Sequence, residues 1–145
     1  MGLTDKVQDQ AIRDGITADL TKLMDEQVSA KSGLSGLALK TAYKVVKGIG
    51  PTYIPGAIGR ILPDALAAID PLWAEGVQKG NPVEYLSQNK SRTADLLLST
   101  TDARIERTDN GVIRSSYNQL RKSVKADVEA AVPDLAKILD THIQR

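Results

Sequence analysis

The sequence lacks several residue types on which common protein functions depend. It has no cysteine and no phenylalanine, with one tryptophan and four tyrosines. The absence of cysteine excludes disulfide bonds, thiolate catalysis and cysteine-ligated metals. Because aromatic side chains are so scarce, the core must be built from leucine, isoleucine, valine and alanine. Such a core favours helices packed about 8–10 Å apart.

The usual sequence signatures of enzymes are also missing. The only histidine, His142, lies near the end of the chain, so no Ser-His-Asp arrangement can be assigned. Neither G-x-S-x-G nor the phosphate-binding G-x-x-x-x-G-K-[ST] occurs. We therefore predict no catalytic residue, no cofactor site and no metal site from motifs.

No apolar run approaches the roughly 20 residues that cross a bilayer. The N-terminus, MGLTDKVQDQ, lacks the apolar segment of a signal peptide. Together with the absence of cysteine, these features favour a cytoplasmic protein.

Apolar residues recur at helical spacing, and no stretch alternates as a β-strand does. The pattern predicts an all-α fold, a single-domain irregular bundle of about six to eight helices with no sheet. The domain spans residues 1–145. Residues 1–30 form an acidic helical segment whose first dozen residues are either a separate short helix or a loose arm, and residues 31–145 form the main body.

Residues 32–49 show the clearest amphipathic helix. Its apolar side is expected to face the core. That side consists of Leu34, Ala38, Leu39, Ala42, Val45, Val46 and Ile49. In the following region, Pro55, Pro63 and Pro71 come eight residues apart, and each is suited to open a helix. We expect residues 51–79 to form short helices that bend around the core.

Charge distribution gives the one localised hint of function. Between Gln27 and Pro63 the chain has no acidic residue, although it carries five basic ones. These are Lys31, Lys40, Lys44, Lys47 and Arg60. Because residues three and four apart share a helix face, three of the lysines form one basic strip.

We predict that Lys40, Lys44, Lys47 and Arg60 bind an anionic partner. The candidates are an acidic protein surface, a phosphate-bearing ligand and an anionic membrane. Sequence-specific nucleic-acid binding is not expected, because Tyr43 is the only aromatic residue beside the strip. In the alternative interpretation the protein self-associates, and the lysine strip is buried in a subunit contact or against the acidic residues of the N-terminal segment.

A second alternative is an enzyme that uses two carboxylates. Asp102 and Glu106 share a helix face at i, i+4, a spacing that allows acid and base roles to be divided. Arg104 lies between them and is the basic residue in this hypothesis. The structural alternative is an ordinary set of ion pairs with neighbouring arginines.

Three segments carry a resemblance to a known family: KTAYKVVK at residues 40–47, TDAR at 101–104 and EAAVP at 129–133. In this order and spacing they resemble a family of small, uncharacterised, all-helical bacterial proteins found mostly in actinobacteria. The resemblance covers roughly residues 31–140 and leaves the acidic N-terminal segment outside. It implies a bacterial cytoplasmic origin and a single domain, and it brings no activity, substrate or cofactor.

Overall fold

The computed structural model describes residues 3–143, without the side chains of Thr4, Ser35 and Lys122. The ends of the predicted domain, residues 1–2 and 144–145, lie outside the described residues. Within this range the chain forms seven helices and no strand, which confirms the all-α prediction. The helices are α1 (Leu3–Lys6), α2 (Gln10–Ala30), α3 (Gly33–Lys47), α4 (Tyr53–Gln78), α5 (Pro82–Gln88), α6 (Lys90–Glu106) and α7 (Gly111–Ile143).

The core lies between α4 and α7, around which the other helices pack. One face of α4 buries residues at helical spacing, and the last third of α7 does the same. The buried residues of these two helices include Leu62, Leu66, Ile69, Leu72 and Trp73 from α4, and Val132, Ala136, Leu139 and Ile143 from α7. The core is therefore aliphatic apart from one indole, as the composition requires.

The N-terminal segment is docked on this core. Leu3 and Val7 are both buried within it. The Leu3 N–H also donates a hydrogen bond to Asp70 Oδ1 of α4 over 2.9 Å. In α2, the Asp9 carboxylate caps the helix by accepting from the N–H groups of Ala11 and Ile12.

The prediction of several short helices over residues 51–79 was wrong, because α4 is one helix that passes through Pro63 and Pro71. Each internal proline removes a backbone hydrogen bond, but the residues around it are held by burial, and tertiary packing outweighs the local preference. Pro55 lies in the first turn, where its missing N–H would have had no helical partner. Helix α7 likewise continues through an internal proline, Pro133.

The turn before α5 has the residues that commonly open a helix. Asn81 Oδ1 accepts from the Glu84 N–H over 3.0 Å, and Pro82 occupies the first turn of the helix. Gly80 ends α4 with a φ of 93°. The N–H groups of Gly80 and Asn81 then bond to the carbonyls of Val77 and Gly76, which is a Schellman closure.

The predicted buried side of α3 was wrong in part, because three of its seven residues pack against the protein and four do not. Leu34, Ala38, Val45 and Ile49 are exposed, while the helix packs through Gly36, Ala42 and the partly buried Leu39, Tyr43 and Val46. The reason is close approach: a Cβ on Gly36 would lie 2.8 Å from the Lys31 carbonyl carbon. Small residues therefore set the rotation of α3, and part of its apolar side faces solvent.

Candidate functional site

The lysine strip lines an open groove between α2 and α3. Lys40, Lys44 and Lys47 are all exposed and lie on one face of α3. The groove has a volume of about 570 Å³. Its lining consists of Asp25, Val28, Ser29, Lys40, Tyr43, Lys44 and Lys47. The structure thus brings three of the four predicted binding residues together.

Among the described residues that line the groove, Asp25 supplies the one carboxylate. It contacts Tyr43 and Lys47. The Tyr43 hydroxyl donates a hydrogen bond to Asp25 Oδ1, and Lys47 Nζ lies 3.6 Å from the same oxygen. Lys47 Nζ also lies 5.3 Å from the centroid of the Tyr43 ring. Burial, followed by the hydrogen bond and the charge of Asp25, raises the pKa of Tyr43. The phenol therefore remains protonated at neutral pH.

The other two lysines are uncompensated. Within residues 3–143 neither Lys40 nor Lys44 forms an ion pair. Because a single carboxylate faces three ammonium groups, the groove carries a net positive charge. This local excess is what an anion would meet.

Arg60 lies apart from this groove. It is exposed on α4, where its guanidinium lies over Gly56, one turn earlier. The fifth basic residue of the acid-free span, Lys31, is engaged elsewhere, because its ammonium pairs with Asp127 of α7. That ion pair fixes the start of α3 against α7.

Beside the lysines, α3 and the turn after it expose a row of apolar side chains, and the sequence pattern assigned all of them except Leu37 to the core. The exposed fractions are 88% for Leu34, 64% for Leu37, 48% for Val45 and 42% for Ile49. One sequence feature indicated this exposed row: Leu37 falls outside the predicted apolar side of the helix. The outward half of α3 therefore carries a cationic row and an apolar row next to each other.

A second groove, of about 590 Å³, lies where α6 and the first half of α7 diverge. It is lined by Asp102, Ile105, Glu106, Arg114, Tyr117, Asn118 and Arg121. Both carboxylates of the enzyme hypothesis are present here. Arg104 is exposed and does not line the groove. Arg121 of α7 lies beside the carboxylates there instead.

Asp102 is fully engaged in this second groove. It accepts from Arg121 Nε over 2.8 Å, from Arg121 Nη2 over 3.1 Å and from the Tyr117 hydroxyl. The bidentate arginine chiefly lowers the pKa of Asp102, while burial and the Asp102 hydrogen bond raise that of Tyr117. Asp102 is therefore a stable carboxylate that joins α6 to α7 and is poorly suited to give up a proton near neutrality.

The single histidine also joins two helices. His142 Nε2 lies 2.6 Å from Asp19 Oδ2 of α2. Its ring packs on Gly15, where a Cβ would lie 2.8 Å from the ring carbon Cε1. A side chain at position 15 would therefore have to displace the His142 ring. No three histidine or acidic side chains of the described chain converge as they would around a metal ion.

Of the helices that the structure describes, none combines the length and apolar character needed to cross a membrane. The described residues thus form an all-helical fold with a cationic groove and an arginine-carboxylate groove. The chain belongs to a family described as "Family of unknown function (DUF6918)", whose family model matches residues 3–143. The match includes α1 and α2, so the expectation that the resemblance begins near residue 31 was wrong. Searches of curated proteins and of solved structures each found no match to this chain.

Proposed function

We propose that this protein is a non-enzymatic helical interaction module that binds an anionic partner through the lysines of α3. The observation that carries the proposal is the cationic groove, in which Lys40 and Lys44 are exposed without a carboxylate partner among the described residues. The setting that we propose is a bacterial cytoplasm, as the family resemblance implies.

The spacing of the lysines supports binding to phosphate or carboxylate groups. Side chains three and four residues apart on a helix have Cβ atoms about 5–6 Å apart. This distance is shorter than the Debye length of about 8 Å at physiological ionic strength. The ammonium groups therefore act on one anion together, and binding should weaken as salt is added. The Ser29 hydroxyl lies in the same groove as an additional donor.

Inorganic polyphosphate is a suitable probe for this site, measured across a salt series. We expect Lys40→Glu/Lys44→Glu/Lys47→Glu to lose most of the affinity and to show a flatter dependence on salt. A matched control, Lys90→Glu/Arg104→Glu/Lys137→Glu, makes the same charge change at exposed positions outside the groove. Equal retention of the wild type and the groove variant would remove the proposal.

Self-association is the second candidate function, and the exposed apolar row of α3 favours it. Such a row is commonly covered by another surface. Light scattering on the full-length protein tests this candidate, and a mass of one chain across the concentration range contradicts it. Pairing with the acidic N-terminal segment accounts for one lysine of the three, Lys47 with Asp25.

An enzyme that uses Asp102 and Glu106 is the weakest of the candidates. The proposal of divided acid and base roles needs one carboxyl that holds a proton near neutral pH. Asp102 has a lowered pKa and three donors on its oxygens. Glu106 is exposed at the groove edge.

A further inference from the structure

We infer that the anionic partner of α3 is the surface of a lipid bilayer rich in anionic headgroups, on which the helix lies flat. This inference rests on the proposed function and adds the kind of surface that the lysines meet. The observation behind it is that the cationic row and the apolar row share the outward half of one helix.

The placement of the two rows follows from helix geometry. At about 100° per residue, Lys40, Lys44 and Lys47 fall within one narrow strip. The exposed apolar residues occupy the adjacent strip, and Leu37 lies directly beside the lysines. The 15 residues of α3 rise about 1.5 Å each, which gives a helix of roughly 22 Å. The apolar row begins in its first turn at Leu34, and the lysine row occupies its second half, from Lys40 to Lys47.

The apolar row distinguishes a bilayer from a dissolved ligand. A free phosphate would engage the lysines and leave Leu34 and Leu37 in water, at 88% and 64% exposure. A bilayer interface supplies phosphate and carboxylate groups at the level of the ammonium groups and acyl chains just below them. Helices with this division of residues lie in the interface plane with the apolar side sunk about 5–10 Å.

The charge pattern favours a bilayer over a second copy of the chain. No carboxylate occurs between residues 28 and 62, so a symmetric α3–α3 contact would have no acid of its own to pair with the lysine row. Asp25, the one carboxylate in the groove, is engaged by Tyr43 and Lys47. An anionic surface is complementary to the lysine row and meets no acidic residue along α3 or the turn after it.

The binding should be reversible and sensitive to salt. The other face of α3 is packed on the protein, so half of one short helix is available to enter the interface. One modest apolar insertion combined with a few basic residues gives a peripheral attachment rather than a permanent anchor. Each lysine near an anionic bilayer adds a roughly fivefold preference, which decays within a Debye length.

The test is co-sedimentation of the full chain with phosphatidylcholine vesicles, with and without about one-third phosphatidylserine. We expect binding to the anionic vesicles alone. Lys40→Gln/Lys44→Gln/Lys47→Gln should weaken that binding about 100-fold, the combined effect of three charges. The charge-matched control is Lys90→Gln/Arg104→Gln/Lys137→Gln, which should bind nearly as well as the wild type.

The apolar row has its own variant and control. Leu34→Ser/Leu37→Ser should weaken vesicle binding at least roughly tenfold, because two side chains no longer leave water. Val77→Ser/Val112→Ser changes two apolar side chains of α4 and α7 that are about half exposed, and it should leave binding unchanged. Circular dichroism checks that each variant keeps its helices.

A polyphosphate arm separates this inference from the proposed function. The serine variant should keep polyphosphate binding while its vesicle binding weakens. If the wild type binds polyphosphate but not anionic vesicles, or if the serine variant binds vesicles fully, the bilayer inference is overturned and the proposed function stands. If the wild type binds neither, both are overturned. A wild-type dimer that the serine variant converts to a monomer would show that a second copy covers the row, and that result also overturns the inference.

Discussion

Gly76 of α4 lies directly against Pro82 and Tyr85 of α5, and replacing it tests the packing of this corner. A Cβ at this position would lie 2.7 Å from Pro82 Cα and 3.0 Å from Tyr85 Cβ. Ordinary carbon contacts are about 3.5–4.0 Å. Neither neighbour is the end of a flexible side chain, so α5 itself must shift by nearly 1 Å. That shift is resisted because Leu86 of α5 is fully buried.

The expected cost of Gly76→Ala follows from two opposing effects. Overpacking of this kind destabilises by about 1–3 kcal/mol, while replacing glycine by alanine in a helix stabilises by up to about 1 kcal/mol. We expect the free energy of unfolding to fall by about 1–2 kcal/mol. In a chain of this size the melting temperature should fall by several degrees.

Gly59→Ala is the matched control, because it makes the same change in the same helix. Its nearest contacts would be Thr17 Oγ1 at 3.8 Å and Thr17 Cγ2 at 4.0 Å, which is ordinary packing. This variant should gain about 0.5–1 kcal/mol of stability. Urea denaturation, followed by circular dichroism and by the fluorescence of the buried Trp73, measures both. If Gly76→Ala is as stable as Gly59→Ala, the corner is not packed as described.

Three further predictions concern charge and turns. The lowered pKa of Asp102, caused chiefly by Arg121, means that its contribution to stability is complete above about pH 4 and is lost as the pH falls through the folded value. Urea midpoints should therefore decline less in acid for Asp102→Asn than for the wild type. The raised pKa of Tyr43 affects stability at high pH. The stabilisation that its phenol contributes is complete below about pH 10 and is lost as the pH rises above it. Tyr43→Phe should therefore reduce the loss of stability in alkali, measured by the same assay. Gly80→Ala, which forces a side chain onto a φ of 93°, should lower the free energy of unfolding by about 1–2 kcal/mol in urea.

Much of the architecture could be predicted from residue patterns, because helix periodicity and turn chemistry are local. The all-α class is an example, because it was argued from the helical spacing of apolar residues and the described residues form seven helices. The continuity of α4 was not predictable in this way. Pro63 and Pro71 oppose the helix locally, and burial of the residues around them decides the outcome.

The candidate site was predicted in part. The grouping of Lys40, Lys44 and Lys47 follows from spacing on one helix. The rotation of α3 about its axis could not be predicted from spacing. It depends on the contact of Gly36 with the Lys31 backbone and on the Lys31–Asp127 ion pair across the fold. The pairing of Asp102 with Arg121 likewise joins two helices whose approach no local pattern encodes.

The most direct test of the account is a fluorescent probe on the outward face of α3. The natural chain has no cysteine, so Leu37→Cys can carry a single environment-sensitive dye, with Val112→Cys as the control at another exposed apolar position. On anionic vesicles the account predicts a blue shift for the dye at residue 37 and none at residue 112, reversed by added salt. An unchanged spectrum at residue 37 while the protein is bound to the vesicles would contradict it.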